Sequence, residues 1–284
     1  MSNVNITILR PAGYVFSSAF IDIVKYLQFY IGRLRHNVVI TENCLIGAAY
    51  NIVFGAHLLT DPQQNFPRRT IIFNTEPMPL DQGYWRRDSV EIYKDLIRRY
   101  PIWDYSGHHE IASKHLPSCT IPLLYCPAFR RRTVFQEPRR GLLFYGEITG
   151  RRQRIIGDLT RRGVEVRIVT GDFCTVRNLA ISQSLAVLNL HKHQSMAVLE
   201  TVRCFYPLNL GIPVITEGYV VDPNIGSYHD FVFEIADEHF AAATCELLGS
   251  HEDFDACSSA MIARFRRSDP TDKIAAAVEV SFRF

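Results

Sequence analysis

The stretch of residues 185–217 constrains the fold most, because it alternates strand and helix patterns over a short length. Residues 185–190 are a continuous apolar run of the length expected for a strand buried on both faces. A polar loop and an apolar helical pattern follow, then Gly211 and Pro213 end the helix and Val214 begins another strand. The stretch therefore predicts a strand–loop–helix–strand unit of a parallel sheet.

The polar loop of residues 191–195 is the first candidate binding site. It follows a buried strand, and we expect Ser195 to cap the next helix. Loops that join a parallel strand to a helix N-terminus bind phosphorylated ligands in many α/β folds. His191 is a candidate contact to a phosphate or sugar, with an ordinary loop histidine as the alternative. No acidic or cysteine residue stands near His191 and His193, so we expect no metal there.

The same alternation extends along the whole chain. It predicts two Rossmann-like, doubly wound parallel-sheet α/β domains that face a cleft, residues 1–136 and 137–267, with a tail of residues 268–284 that packs back on the first. Residues 127–140, with prolines and five arginines, are the expected linker. The predicted strands are residues 5–9, 38–41, 51–54, 70–73, 102–105, 121–125, 141–145, 164–169, 185–190, 214–216 and 231–235.

Composition and charge limit the classes of protein that fit. The net charge of +2 gives no general argument for nucleic-acid binding. The seven cysteines include no C-x-x-C pair, so we expect free, mostly buried thiols. No apolar run is long enough to cross a membrane and no signal peptide is seen, so we expect a cytoplasmic protein. Clustered arginines leave contact with a membrane surface open.

A second candidate binding site follows the strand at residues 141–145. Gly146 would let the backbone approach a ligand closely, and Arg151 and Arg152 open the next helix with positive charge that suits a diphosphate. A solvated basic helix start is the alternative. Thr170 and Gly171 end the next strand and belong to the same candidate site. Neither G-x-G-x-x-G nor a P-loop is present, which disfavours NAD and P-loop ATPase sites.

Two pairs of side chains could carry chemistry. Glu200 and Arg203 share a helix face, where the carboxylate suits ribose or sugar hydroxyls and the arginine suits a phosphate; a surface ion pair is the alternative. His57 and Glu76 follow predicted strands, and either could be a general base or a hydrogen-bonded loop residue.

Two further patterns are weaker. Residues 83–87 combine aromatic and arginine side chains that could stack on a sugar or form a surface turn. Asp253 and Asp255 form a D-x-D pattern that opens a helix, and capping explains it better than a metal does.

Residues 142–217 resemble the C-terminal domain of the GT-B class of nucleotide-sugar glycosyltransferases. The resemblance lies in the strand–glycine–Arg-Arg–helix unit, in the VLNLH strand, and in Arg203-Cys204-Phe205 followed by Gly211-Ile212-Pro213-Val214. It is similar to bacterial spore-coat and polysaccharide transferases. Tyr206 departs from the pattern, because many members place there the glutamate that holds the donor ribose, and their E-x7-E pattern is absent.

The resemblance implies transfer of a sugar from a nucleotide-diphosphate donor, such as a UDP-sugar, to a hydroxyl of a glycan, lipid-linked or small-molecule acceptor, without a cofactor or essential metal. The second domain would bind the donor, with Glu200 on the ribose or sugar and Gly146, Arg151, Arg152, Thr170, Gly171, His191 and Arg203 around it. The first would bind the acceptor and supply Glu76 or His57 as base. A non-catalytic nucleotide- or glycan-binding module and a nucleotide-sugar epimerase remain alternatives.

Overall fold

The chain folds into two units in a computed structural model, each built on its own parallel sheet. Residues 1–123, 222–225 and 270–284 form the first unit, and residues 124–221 and 226–269 form the second. The structure describes residues 1–61, 63, 65–76, 87–107, 116–129, 138–192, 198–222 and 228–283. Within these residues, no helix is long and apolar enough to cross a membrane.

The first unit contains a six-stranded sheet in the order β2-β1-β3-β4-β5-β6, with every neighbouring pair parallel. Helix α1 is amphipathic and buries its apolar stripe, while α2 packs Val90, Tyr93 and Leu96 against β4. The elements are β1 (Asn3–Ile8), α1 (Ile21–Arg33), β2 (Asn37–Glu42), β3 (Tyr50–Phe54), β4 (Thr70–Asn74), α2 (Arg87–Arg99), β5 (Ile102–Asp104) and β6 (Ser118–Thr120).

The second unit contains a five-stranded parallel sheet in the order β11-β10-β9-β7-β8. Its core joins residues of β7, β9 and β10 to apolar side chains of α3, α6 and α7. The elements are β7 (Leu142–Tyr145), α3 (Gly150–Arg161), β8 (Val166–Val169), α4 (Thr175–Gln183), β9 (Ala186–Asn189), α5 (Thr201–Asn209), β10 (Val214–Glu217), β11 (Phe233–Ile235), α6 (Phe240–Gly249) and α7 (His251–Phe265).

The last helix, α8 (Thr271–Ser281), packs against the first unit. The buried indole of Trp103 donates a hydrogen bond to the hydroxyl of Ser281 at 2.9 Å. The ring of Phe282 stacks on Tyr50 with centroids 4.1 Å apart. These contacts hold the end of the chain against β3 and β5 of the first sheet.

Both sheets reverse their strand order once, and this places the candidate sites. The reversal lies between β1 and β3 in the first sheet and between β7 and β9 in the second. Open parallel sheets bind ligands at the carboxyl ends of the strands beside such a reversal. His57 follows β3, Gly146 follows β7 and His191 follows β9, so the strand order brings candidates from distant parts of the sequence to these edges.

Several local predictions were wrong. Residues 121–125 are not a strand; the strand is β6, because Pro122 has no N–H to continue the ladder. Ser17 or Ser18, which stand before the apolar pattern of α1, would be expected to cap that helix, but both lie inside a 3-10 turn and neither caps it. The thiols are free as predicted, but only Cys126 and Cys204 are buried.

Other predictions fall partly outside the described residues. Phe129, near the start of the predicted linker, is buried in the second unit against Phe205 and Tyr206. Residues 130–137 of that segment, and residues 83–86, His193 and Ser195, lie outside the described part of the chain.

Candidate functional site

Gly146 lies against the side chain of Arg203 at the carboxyl end of β7. Its φ of +131° is in the left-handed region, which an L residue rarely adopts. A Cβ at this position would lie 2.2 Å from Nη1 of Arg203. The guanidinium of Arg203 therefore occupies the space that a side chain at residue 146 would need.

The strand β7 and the helix α5 are joined by two reciprocal hydrogen bonds. Nη1 of Arg203 donates to the carbonyl of Tyr145 at 2.8 Å, and the hydroxyl of Tyr145 donates to the carbonyl of Arg203. In a regular helix the N–H of the residue four positions later would bond that carbonyl, but Pro207 stands there and has no N–H. The Tyr145 hydroxyl thus satisfies an acceptor that the proline leaves open.

Glu200 bridges two arginines. Its carboxylate lies 3.2 Å from Nε of Arg203 and 3.5 Å from Nη2 of Arg152. Burial would raise the pKa of Glu200, but these two cations outweigh it and hold the pKa below its usual value. Burial likewise opposes the charge of Arg203, yet Glu200 holds the pKa of that guanidinium above its usual value.

The start of α5 differs from the prediction. Glu200 occupies the N-cap position of the helix, which was expected to begin directly after Ser195. Val198 pairs with Val220 in an isolated parallel bridge, so the chain is still extended three residues before the helix starts at Thr201. A carboxylate at a helix N-terminus is stabilised by the helix dipole.

Arg152 is fully buried and positions the strand end rather than facing solvent. Its Nε and Nη2 donate to the carbonyl of Leu190 at 3.0 and 2.7 Å, and its Nη1 donates to the carbonyl of Glu147 at 3.0 Å. The guanidinium also lies over the ring of Phe144. Burial, then the charge of Arg203, lowers the pKa of Arg152 to about 10, so it stays charged at neutral pH.

Arg151 and His191 are both tied to Glu217, the last residue of β10. The carboxylate of Glu217 is fully buried; it accepts two hydrogen bonds from the guanidinium of Arg151 and one from the backbone N–H of His191 at 2.6 Å. The buried ring of His191 donates from Nε2 to the carbonyl of Gly218 at 2.9 Å. Its other ring nitrogen is then an acceptor, so neutral His191 cannot donate to a phosphate from it.

The remaining candidates hold the loop around Gly146. The hydroxyl of Thr170 donates to the carbonyl of Gly146 at 3.0 Å, and Gly171 takes a left-handed φ directly afterwards. Lys192 lies 2.6 Å from the carboxylate of Glu147, and this hydrogen bond lowers the pKa of Glu147. We name the set of Arg151, Arg152, Lys192, Arg203, Glu147, Glu200 and Glu217 the second-unit cluster; it has four cations and three carboxylates.

Tyr206, where the resemblance places a ribose-binding glutamate, is buried in an aromatic environment. The guanidinium of the buried Arg177 lies 5.1 Å from its ring centroid and 5.7 Å from that of Tyr145. The ring of Phe129 packs edge-on against that of Tyr206, with centroids 5.3 Å apart. This position therefore offers no carboxylate, and α5 has none either; Glu200 stands at its N-cap.

In the first unit, His57 and Glu76 lie side by side after β3 and β4. Nε2 of His57 is 3.4 Å from the carboxylate of Glu76. His57 is 3 % exposed whereas Glu76 is 22 % exposed. Burial lowers the pKa of His57 to about 3, so the ring is neutral at neutral pH. Glu76 is thus the more accessible base of the pair.

Asn74 fixes the backbone of Glu76. Its side-chain amide donates to the carbonyl of Glu76 at 2.8 Å and to the buried carboxylate of Asp104 at 2.7 Å. Its side-chain oxygen accepts from the N–H of Glu76 at 3.2 Å and from the hydroxyl of Tyr93 at 2.7 Å. His57, Glu76 and Asp104 thus follow or end neighbouring parallel strands and lie at one edge of the first sheet.

The structure adds members that sequence reasoning missed. Glu217 and Glu147 had no assigned role, although a carboxylate directly after a buried apolar strand and one directly after Gly146 were visible signals. Tyr145 and Pro207 had no signal, because their link depends on a carbonyl that only the folded helix defines. Among the described residues, no group of three or more His, Cys, Asp or Glu side chains is arranged to hold a metal.

Comparison with solved structures defines the fold. HepE of Anabaena, in complex with UDP and glucose, superimposes over the whole of both chains with a TM-score of 0.61 and 10% identity. WaaG, a glycosyltransferase involved in lipopolysaccharide biosynthesis, matches with a TM-score of 0.55 and 10% identity, over 98% of this chain and 99% of WaaG. The predicted GT-B-type fold, with two parallel-sheet α/β units, is confirmed.

Sequence comparison adds little to the fold. No protein-family model matches the chain. The uncharacterized protein L137 of Acanthamoeba polyphaga mimivirus is 21% identical over 207 residues, which are 68% of this chain. The match spans about a quarter (27%) of the length of that protein.

Proposed function

We propose that this protein is a glycosyltransferase that moves a sugar from a nucleotide-diphosphate donor to a hydroxyl acceptor. The observation that carries the proposal is the second-unit cluster at the strand reversal of a GT-B-type fold. HepE, which has this fold, has been crystallised in complex with UDP-glucose. WaaG, which also has this fold, is a glycosyltransferase. The cluster supplies cations where such a donor would place its diphosphate.

Arg203 is the proposed diphosphate contact. Its Nη1 and Nε are used by Tyr145 and Glu200, and within the described residues its Nη2 donates no hydrogen bond. The neighbouring N-terminus of α3 is open at Gly150, where an added Cβ would meet nothing within 4 Å. A helix N-terminus beside an arginine favours phosphate oxygens. Arg151 and Arg152 would act mainly by positive potential, because Glu217 and backbone carbonyls occupy their donors.

Glu200 is the proposed acceptor for ribose or sugar hydroxyls. A carboxylate can accept about four hydrogen bonds, and the two arginines leave part of this capacity unused. The same arginines keep Glu200 ionised. His191, Thr170 and Gly171 would support the loops around the donor.

Glu76 is the proposed general base for the acceptor hydroxyl. It is partly exposed and its backbone is fixed by Asn74. His57, buried and neutral, is proposed as a positioning residue that contacts the Glu76 carboxylate. Glu76 would take the proton of the acceptor hydroxyl as its oxygen attacks the sugar carbon, while the nucleotide diphosphate leaves.

Nucleotide release tests this function. The full chain is incubated with UDP-, GDP-, dTDP- and ADP-sugars, with and without a panel of hydroxyl acceptors. We expect one of the donors to release its nucleotide, and we expect an acceptor to increase the rate of that release. Glu76→Gln should lower turnover by about 100-fold or more and leave the affinity for the donor unchanged. Tight nucleotide binding without turnover would instead identify a binding module. The buried Tyr206, at the position of the glutamate that holds the donor ribose in many members of the resembled class, favours this alternative. Conversion of a donor sugar without acceptor would identify an epimerase.

A further inference from the structure

A groove in the second unit lies at the sheet edge opposite the second-unit cluster. Arg139, Leu185 and Pro213 line it, and each stands just before a strand of the sheet. The strands β7, β9 and β10 are parallel, so these residues lie at the amino ends, whereas Gly146 and Glu217 mark the carboxyl ends. The groove has a volume of about 710 Å³, which is typical of a small-molecule site.

The second wall is one face of α7. Asp255, Ser258, Ser259 and Ile262 recur at helical spacing along this face, and Arg266 continues it at the end of the helix. Ser258 is 8 % exposed, and its hydroxyl has no hydrogen-bond partner in the part of the chain that the structure describes. A buried hydroxyl without a partner costs free energy, which a ligand could recover.

Two arginines meet at Gly211. Nη1 of Arg139 donates to the carbonyl of Gly211 at 3.1 Å, and an added Cβ on Gly211 would lie 3.0 Å from Nη2 of Arg266. Both guanidinium groups therefore lie against the same residue. Burial, then the charge of Arg266, lowers the pKa of Arg139. Neither arginine forms an ion pair with a carboxylate among the described residues, so an anion at this point would relieve their repulsion.

We infer that this groove binds a small phosphorylated polyol. The two guanidinium groups match a phosphate, which arginine binds through paired hydrogen bonds. Asp255 and the two serines would take the hydroxyls of the ligand body, and the apolar side chains of Leu210, Phe254 and Ile262 would pack against its carbon skeleton. Because Asp255 would repel an extended polyanion, the groove does not suit a nucleic-acid strand. The site is independent of the proposed sugar transfer.

Calorimetric titration of the full chain with glucose 6-phosphate, inorganic phosphate and glucose tests the inference. We expect glucose 6-phosphate to bind at least about tenfold more tightly than either part alone, because the groove contacts both the phosphate and the hydroxyls. The variant with Arg139→Gln and Arg266→Gln should weaken this binding by about 30-fold or more. The matched control Arg161→Gln and Arg162→Gln removes the same charge from exposed positions on and beside α3 and should leave it unchanged.

Ser258→Ala separates a ligand contact from a structural role. We expect it to weaken glucose 6-phosphate binding by about three- to tenfold, while thermal unfolding of the ligand-free protein occurs at the same or a higher temperature. Binding that survives the Arg139 and Arg266 substitutions but is lost in Arg203→Ala would place the phosphate in the second-unit cluster and overturn the inference. Failure of glucose 6-phosphate to bind, or tight binding of an oligonucleotide at the groove instead, would also overturn it.

Discussion

Gly146 shows how one residue type can decide a binding site. The guanidinium of Arg203, the proposed contact to the donor diphosphate, fills the space beside the Cα of Gly146. The backbone conformation of Gly146 is one that glycine adopts without strain. The two requirements reinforce each other. Any larger residue would displace Arg203 and strain the turn.

Gly146→Ala should therefore reduce the free energy of unfolding by about 1–3 kcal/mol, the cost of a non-glycine residue in a strained backbone region. It should also abolish measurable nucleotide binding, because Arg203 must move. Gly150→Ala is the matched control, since it has open space at the start of α3 and should change stability by less than about 1 kcal/mol. Chemical denaturation of both variants makes the comparison; equal stabilities would contradict the assigned packing.

His57 predicts a pH dependence of stability. The native pKa of about 3 lies below the unfolded value of 6.5, so the unfolded chain binds the extra proton between these values. Stability is then full above pH 6.5 and falls as the pH decreases toward 3, with a slope approaching about 1.4 kcal/mol per pH unit.

Urea denaturation of the wild type, His57→Gln and the control His251→Gln between pH 7 and 4 measures this slope. His57→Gln should lose most of the slope, whereas the exposed His251 should leave it unchanged. A wild-type slope that persists in His57→Gln would show that another group causes it.

At the scale of the element, Pro207 and Tyr145 explain how α5 is held to β7. The proline leaves the carbonyl of Arg203 open and the tyrosine hydroxyl fills it, so the helix that carries Arg203 is fixed at the position where Arg203 is needed. An alanine at position 207 would restore the helical N–H and make the hydroxyl redundant.

A double-mutant cycle tests this link. Tyr145→Phe should cost about 1–2 kcal/mol of unfolding free energy, because it leaves a shielded carbonyl without a donor. In the background of Pro207→Ala the same change should cost about 1 kcal/mol less. Additive effects of the two substitutions, measured by equilibrium denaturation, would mean that the two groups are not coupled.

The sequence predicted the elements better than their ends. Buried strands such as β9 and β10 can be predicted because they are short apolar runs in the sequence. The predicted end of α5 at Gly211 is also found, and this glycine has a left-handed φ. The first residues of the helices were harder to predict. A serine before an apolar pattern predicts a helix cap, even where the helix begins elsewhere. Val198 pairs with Val220, which is distant in sequence, and α5 begins only after this pair. No feature of the sequence near Val198 predicts the pairing.

For the site, the sequence predicted the positions but not the partners. Glu200 and Arg203 were identified by their spacing and do form a pair. The bond from Arg151 to Glu217 joins residues of different βα units, and only the strand order brings them together. Such contacts depend on topology, which a single sequence specifies weakly.

At the scale of the whole molecule, two parallel-sheet units of GT-B type each place polar side chains at the carboxyl edge beside a strand reversal. One edge carries a mixed cationic cluster and the other a partly exposed carboxylate beside a neutral histidine. These two sets of charged groups match the roles we propose for the two units: the second unit binds the donor, and the first activates the acceptor.

The most direct test of the account is the affinity of a nucleoside diphosphate for the second-unit cluster. Calorimetry with UDP, GDP, dTDP and ADP would identify the preferred base, and the wild type would then be compared with Arg203→Ala and with the exposed control Arg154→Ala. We predict that Arg203→Ala weakens binding by about 1–3 kcal/mol and that Arg154→Ala leaves it unchanged. Equal affinity of the wild type and Arg203→Ala, or no binding of any of the four nucleotides, would contradict it.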